Sequence, residues 1–163
     1  LVIFYPIDRV KKGVAVLAFF MVGFFAEWVG VTYGFLFGEY YYGDHLGLKI
    51  AGVPIMIGIN WAMLILVTGA IASRVNGAHR LIKAGMGAAL MVFLDLFIEP
   101  SAPAFDFWYW THDRAPAQNY LAWFVLSFLL HLVYQQTIRK GTVRLAAHLY
   151  AAQLLFFAYF YGT

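Results

Sequence analysis

The sequence predicts an all-α, polytopic transmembrane helix bundle, and three observations predict it. Of 163 residues, 63% are hydrophobic and 12% are charged, against roughly 25% charged in a soluble domain. The apolar residues gather into five runs, 13–38, 54–72, 81–98, 120–138 and 145–161, each near the ~20 residues that a helix needs to cross a bilayer. The basic residues are sided: Arg9, Lys11, Lys12, Arg74, Arg80, Lys83, Arg139, Lys140 and Arg144 flank one face of this layout, and only Lys49 and Arg114 the other. By the positive-inside rule the connections after the second and fourth runs face the cytoplasm, so a multi-pass protein of the cytoplasmic (inner) membrane is expected. Residues 1–163 then form a single integral membrane domain. No secretory signal pattern is present. Residues 1–6, LVIFYP, read as the tail of an earlier apolar segment, and with no initiator Met at least one more helix is expected upstream.

The first run holds an acid, Glu27, in an otherwise apolar stretch. At about 100° per residue, Gly23, Glu27, Gly30, Gly34 and Gly38 share one stripe. Small residues on a stripe let a neighbouring backbone approach, so Glu27 is expected to point into the bundle. Intramembrane acids are expensive to bury and are kept for chemistry or transport by default. The second run can open at Pro54, since a proline in the first turn has no hydrogen bond to lose, and Asn60 then lies under two turns below the outer surface. The third run places Ala84, Ala88, Met91, Asp95 and Glu99 on one stripe, with Asp95 near its outer end; Pro100 biases Glu99 away from helical geometry. Glu27, Asn60 and Asp95 therefore converge on one outer-leaflet pocket. The fourth run has a polar stripe of Tyr120, Ser127, His131 and Gln135, and the fifth puts His148 near its cytoplasmic end. The outer connections, 39–53 and 99–119, carry five acids and many Tyr and Trp, as interfacial segments do.

The inventory sets several chemistries aside. There is no cysteine, hence no disulfide, thiolate nucleophile or iron–sulfur cluster. The five His are dispersed, with no pair at i, i+3 or i, i+4, so the di-iron histidine-box pattern is missing and no metal is expected. The lysines lie in connections or at span ends, which removes a retinal Schiff base. No phosphate loop, dinucleotide fingerprint or nucleophile elbow occurs. Acid–base chemistry on a lipophilic molecule is left. A carboxyl group out of water and near a like charge resists ionisation, as a general acid working near neutral pH must. Aromatic faces around it can stabilise a cation.

At these residues the sequence resembles the membrane hydratases of carotenoid biosynthesis, a family that includes CruF-type carotene hydratases and bisanhydrobacterioruberin hydratases. The resemblance rests on Glu27-x-x-Gly30-x-x-x-Gly34-x-x-Phe37-Gly38-x-Tyr40-x-Tyr42-Gly43, then Leu46-Gly47, Val53-Pro54 and Asn60-Trp61. It continues through Asp95, Glu99-Pro100, Phe107-Trp108-x-Trp110 and Asn119-Tyr120-x-x-Trp123. Glu99-Pro100 departs from the Asp-Pro expected of many members. The resemblance implies a hydro-lyase of the carotenoid 1,2-hydratase type, adding water without a cofactor to the terminal double bond of a ψ-end carotene to give a tertiary alcohol. Glu27 and Asp95 are the candidate acid and base, in either order, with Asn60 and Glu99 positioning water. Tyr40, Tyr42, Trp61, Trp108, Trp110 and Trp123 are the candidate substrate-binding residues. The implied partners are a lipophilic carotenoid, the lipid bilayer and other carotenoid-pathway enzymes, with no nucleic acid. Two other functions fit the same residues: a proton- or ion-translocating subunit, and a non-catalytic carotenoid-binding subunit.

Overall fold

The computed structural model describes residues 10–138 and 142–161; Arg9, Arg139 and Lys140 of the basic set lie outside them. The chain runs α1 (Val10–Tyr33), β1 (Tyr40–Tyr42), β2 (Lys49–Ile50), β3 (Val53–Pro54), α2 (Ile55–Ala72), α3 (Arg80–Ser101), a 3-10 turn (Pro103–Phe105), β4 (Trp108–Trp110), α4 (Ala117–Thr137) and α5 (Val143–Tyr159). This is the expected all-α polytopic bundle. Helices α1 to α4 are long and apolar enough to cross a membrane. Helix α5, with 17 residues, stands at the lower edge of a spanning length.

Helix α2 is the hub, packed against each of the other four helices. Apart from Asn60 and Thr68 it is apolar all round, and every residue from Leu64 to Ala70 is buried. A helix with no polar face belongs in the middle of a bundle. Its neighbours instead turn small residues toward it: Gly23 of α1 lies directly against the Trp61 side chain, where an added Cβ would collide with the ring. The polar stripe of α4 serves the same packing. His131 is fully buried, with Nε2 2.8 Å from Thr68 Oγ1 on α2. Its Nδ1 lies 2.7 Å from the Ser127 carbonyl, which can only accept, so Nδ1 carries the proton.

Three local expectations are corrected. The first helix does not continue to residue 38: it ends at Tyr33, and Gly34 takes φ +69 while its N–H bonds to the Gly30 carbonyl at 2.8 Å. That left-handed residue after a helix is a glycine cap, so Gly34 and Gly38 leave the stripe and only Gly23, Glu27 and Gly30 remain buried on it. Pro100 does not break α3 at Glu99, because the helix carries on to Ser101. The connections at this end are not plain interfacial loops: β1 pairs antiparallel with β4, Tyr40 opposite Trp110 and Tyr42 opposite Trp108. Alternation along these strands turns Tyr40, Tyr42 and Trp110 inward and leaves Tyr41 exposed.

Beyond the sheet a polar clasp joins the two connections. Asp106, in a left-handed conformation with φ 52, accepts the Asp44 N–H at 2.9 Å and the Tyr109 hydroxyl at 3.0 Å. Those two donors, the backbone one first, hold its carboxyl below the usual aspartate range. The Lys49 ammonium adds a bond to Asp44 at 2.8 Å.

Candidate active site

Helix geometry sets the depth of the site. Glu27 lies six residues before the end of α1, Asn60 five after the start of α2, and Asp95 six before the end of α3. At 1.5 Å per residue all three sit within about 9 Å of the same end of the bundle. Glu27, Asn60, Asp95 and Glu99 line one cavity, along with Tyr40, Tyr42, Trp108, Trp110, Asn119 and Trp123. Its free space is about 30 Å³, room for a water molecule or two.

Glu27 is buried and accepts three hydrogen bonds. The Tyr40 and Tyr42 hydroxyls donate to Oε2 at 2.6 and 2.7 Å, and the Trp61 indole N–H donates to Oε1 at 2.8 Å. Burial first, and then the neighbouring Glu27 charge, push both tyrosine hydroxyls well above their ordinary range, so they remain donors at physiological pH. Trp61 is behind the wall of the cavity rather than in it, fully buried and stacked on Trp123 with ring centroids 4.3 Å apart. Its place in the site is to hold Glu27.

Glu99 is built the same way from the other strand. Trp108 and Trp110 donate their indole N–H groups to Oε2 at 3.0 and 2.6 Å, and the Asn119 amide donates to Oε1 at 3.1 Å. Both tryptophans reach it from β4, whose pairing with β1 thus brings the donors of two acids into register. Asp95 differs. It accepts only from Asn119, at Oδ2 and 3.1 Å, and its Oδ1 is buried with no hydrogen-bond partner. Donors to both oxygens favour the carboxylate form, which fits Glu27 and Glu99. Three carboxyl groups around one small enclosed cavity cannot all be ionised cheaply, and Asp95 has the fewest donors to hold a charge.

Sequence reasoning brought the four acid and amide candidates together and missed Asn119 as a site residue. It assigned Asn119 to a connection. In the structure Asn119 belongs to the first turn of α4, whose helix begins three residues before the apolar run, and its side-chain amide nitrogen bridges Asp95 and Glu99. Among the described residues no group of three His, Asp or Glu is arranged to hold a metal ion.

A family model described as carotenoid biosynthesis protein matches residues 1–162. The chain belongs to the carotenoid biosynthesis protein family. It is also similar to the bisanhydrobacterioruberin hydratase of Haloarcula japonica, 28% identical over 149 residues that cover 87% of this chain and 50% of that protein. The chain thus spans about half the length of the curated relative it matches. No solved structure matches it. Membership of the family gives the buried carboxyl cluster its context: a multi-pass membrane protein with a role in carotenoid biosynthesis, related to a hydratase, that keeps three acids around a cavity the size of water.

Proposed function

We propose that this protein hydrates the terminal double bond of an acyclic ψ-end carotene, as a cofactor-free hydro-lyase of the cytoplasmic membrane working beside other enzymes of the carotenoid pathway. The observation that carries this is the unpartnered Asp95 Oδ1 at a water-sized cavity that also presents Glu27 and Glu99. A neutral Asp95 transfers its proton to the less substituted carbon of the alkene, and a tertiary cation forms on the other carbon. Carboxylates at Glu27 and Glu99 and the aromatic faces of Tyr40, Trp108 and Trp110 stabilise that charge. A water oriented by Asn60 and Glu99 attacks the cation, and Glu27, with a free lone pair on Oε1, takes the proton that water loses. Transfer of that proton back to Asp95 restores the resting state. One C=C π bond and one water O–H bond are lost; one C–H and one C–O bond are gained.

Purified protein supplied with a ψ-end carotene and water tests this. A product heavier by one water is expected. Carotene that stays bound and unchanged would instead mark a binding subunit, and proton movement across vesicles without a product would mark a translocating one.

A further inference from the structure

A second cavity of about 170 Å³ adjoins the first and shares Ile57, Asn60, Ile98 and Trp108 with it. Its own walls come from α2, α5 and the two connections at this end, and include Met56, Ile59, Met63, Phe107, Gln153 and Phe157. They are apolar with one exception. Met56 and Ile59 are each about half exposed along the outside of α2, so this wall is open where the bundle meets lipid. That exception, Gln153 of α5, keeps its Oε1 buried with no hydrogen-bond partner. A buried acceptor left unpaired in an apolar wall is costly and calls for a donor that arrives from elsewhere. The cavity is also smaller than the roughly 300–1,000 Å³ of a site that encloses a whole drug-sized ligand. It fits a chain end, with the remainder of the chain left in the bilayer.

We propose that this cavity is the seat of the substrate's branched apolar end, entered sideways from the membrane between α2 and α5, and that Gln153 accepts a hydrogen bond from the tertiary hydroxyl of the hydrated product. The inference rests on the hydration proposed above and assigns specificity to residues outside the carboxyl cluster. Trp108 and Asn60, common to both cavities, mark where the seated alkene meets the acid and the water. Gln153 discriminates alkene from alcohol because only the alcohol brings an O–H.

The test is binding to the full chain in nanodiscs, read from the absorption shift of the polyene, for a ψ-end carotene and for its tertiary alcohol. Filling the cavity with Met63→Trp should weaken both ligands by about tenfold or more, and the volume-conserving Met63→Leu should weaken them much less. Gln153→Leu should weaken the alcohol by about tenfold and spare the alkene. If Met63→Trp binds both ligands as the unaltered protein does, the cavity is not the seat. If Gln153→Leu alters both ligands equally or neither, Gln153 does not read the hydroxyl. Binding that follows this pattern in a protein that forms no alcohol would overturn the hydration and leave the seat standing.

Discussion

Asn119 donates to Oδ2 of Asp95 at 3.1 Å, and the other oxygen of that carboxyl, Oδ1, stays buried without a partner. One amide thereby fixes the ring of space into which the free oxygen points, and the same nitrogen holds Glu99. Asn119→Ala should leave both acids in the cavity but unaligned. Misplacement by about 1 Å is enough to cost about 10²-fold, and that is the fall in turnover expected, with carotene still bound. Turnover and binding measured side by side check it; an unchanged rate would remove Asn119 from the site.

Glu27 and Asp95 should respond alike in rate and differently in stability. Glu27→Gln and Asp95→Asn each remove a titrating group, and loss of a general acid or base costs about 10² to 10⁴-fold. Because the groups act as a unit, the double change should be little worse than either single one. Gln at position 27 also turns an amide N–H₂ toward some of the Tyr40, Tyr42 and Trp61 donors, which should cost about 1–3 kcal/mol of stability. Asp95, with one bond to lose, should melt closer to the unaltered protein. Rates for the three variants with their thermal midpoints check this, and single variants that keep more than about a tenth of turnover would refute the acid–base assignment.

Gly23→Ala is expected to destabilise the α1–α2 contact. The added methyl meets the Trp61 ring, whose position is fixed on both faces of its role by the bond to Glu27 and the stack on Trp123. Overpacking of this kind costs about 1–3 kcal/mol. A lowered melting temperature in detergent, together with slower turnover from a displaced Glu27, is the outcome to look for.

The clasp over the site should loosen in acid. The Asp106 carboxyl ionises more easily folded than unfolded, chiefly through the Asp44 N–H and the Tyr109 hydroxyl. Its contribution is therefore present above the unfolded value, about 4, and lost as pH falls through the lowered folded value. Protection of the Asp44 amide, its exchange rate measured against that of an unstructured amide at the same pH, should be high at neutral pH and fall in acid. Asp106→Asn should exchange fast at neutral pH already.

Much of this was legible in the sequence, for a physical reason. Span length and basic sidedness follow from the thickness and polarity of a bilayer, so five helices and the shared depth of Glu27, Asn60 and Asp95 could be counted out by hand. What could not be read were contacts that depend on pairing at long range. Tyr40 and Tyr42 look like members of an interfacial belt until β1 meets β4, and only then do their hydroxyls fall on Glu27 while Trp108 and Trp110 fall on Glu99. Trp61 looked like a substrate contact because nothing local shows that Gly23 leaves room for it behind the cavity. Gly34 looked like part of a helical stripe because a glycine inside a helix and a glycine ending one are the same letter.

The central claim is that Asp95 gives the alkene its proton and water supplies the oxygen. The isotope content of the alcohol made in water labelled with both deuterium and heavy oxygen tests it most directly, with the Asp95→Asn protein run alongside. The account predicts one solvent deuteron on carbon and one labelled oxygen in the product of the unaltered protein, and a loss of about 10² to 10⁴-fold in that product with Asp95→Asn. An alcohol whose oxygen comes from dioxygen, or a variant that forms the doubly labelled alcohol at the unaltered rate, would contradict it.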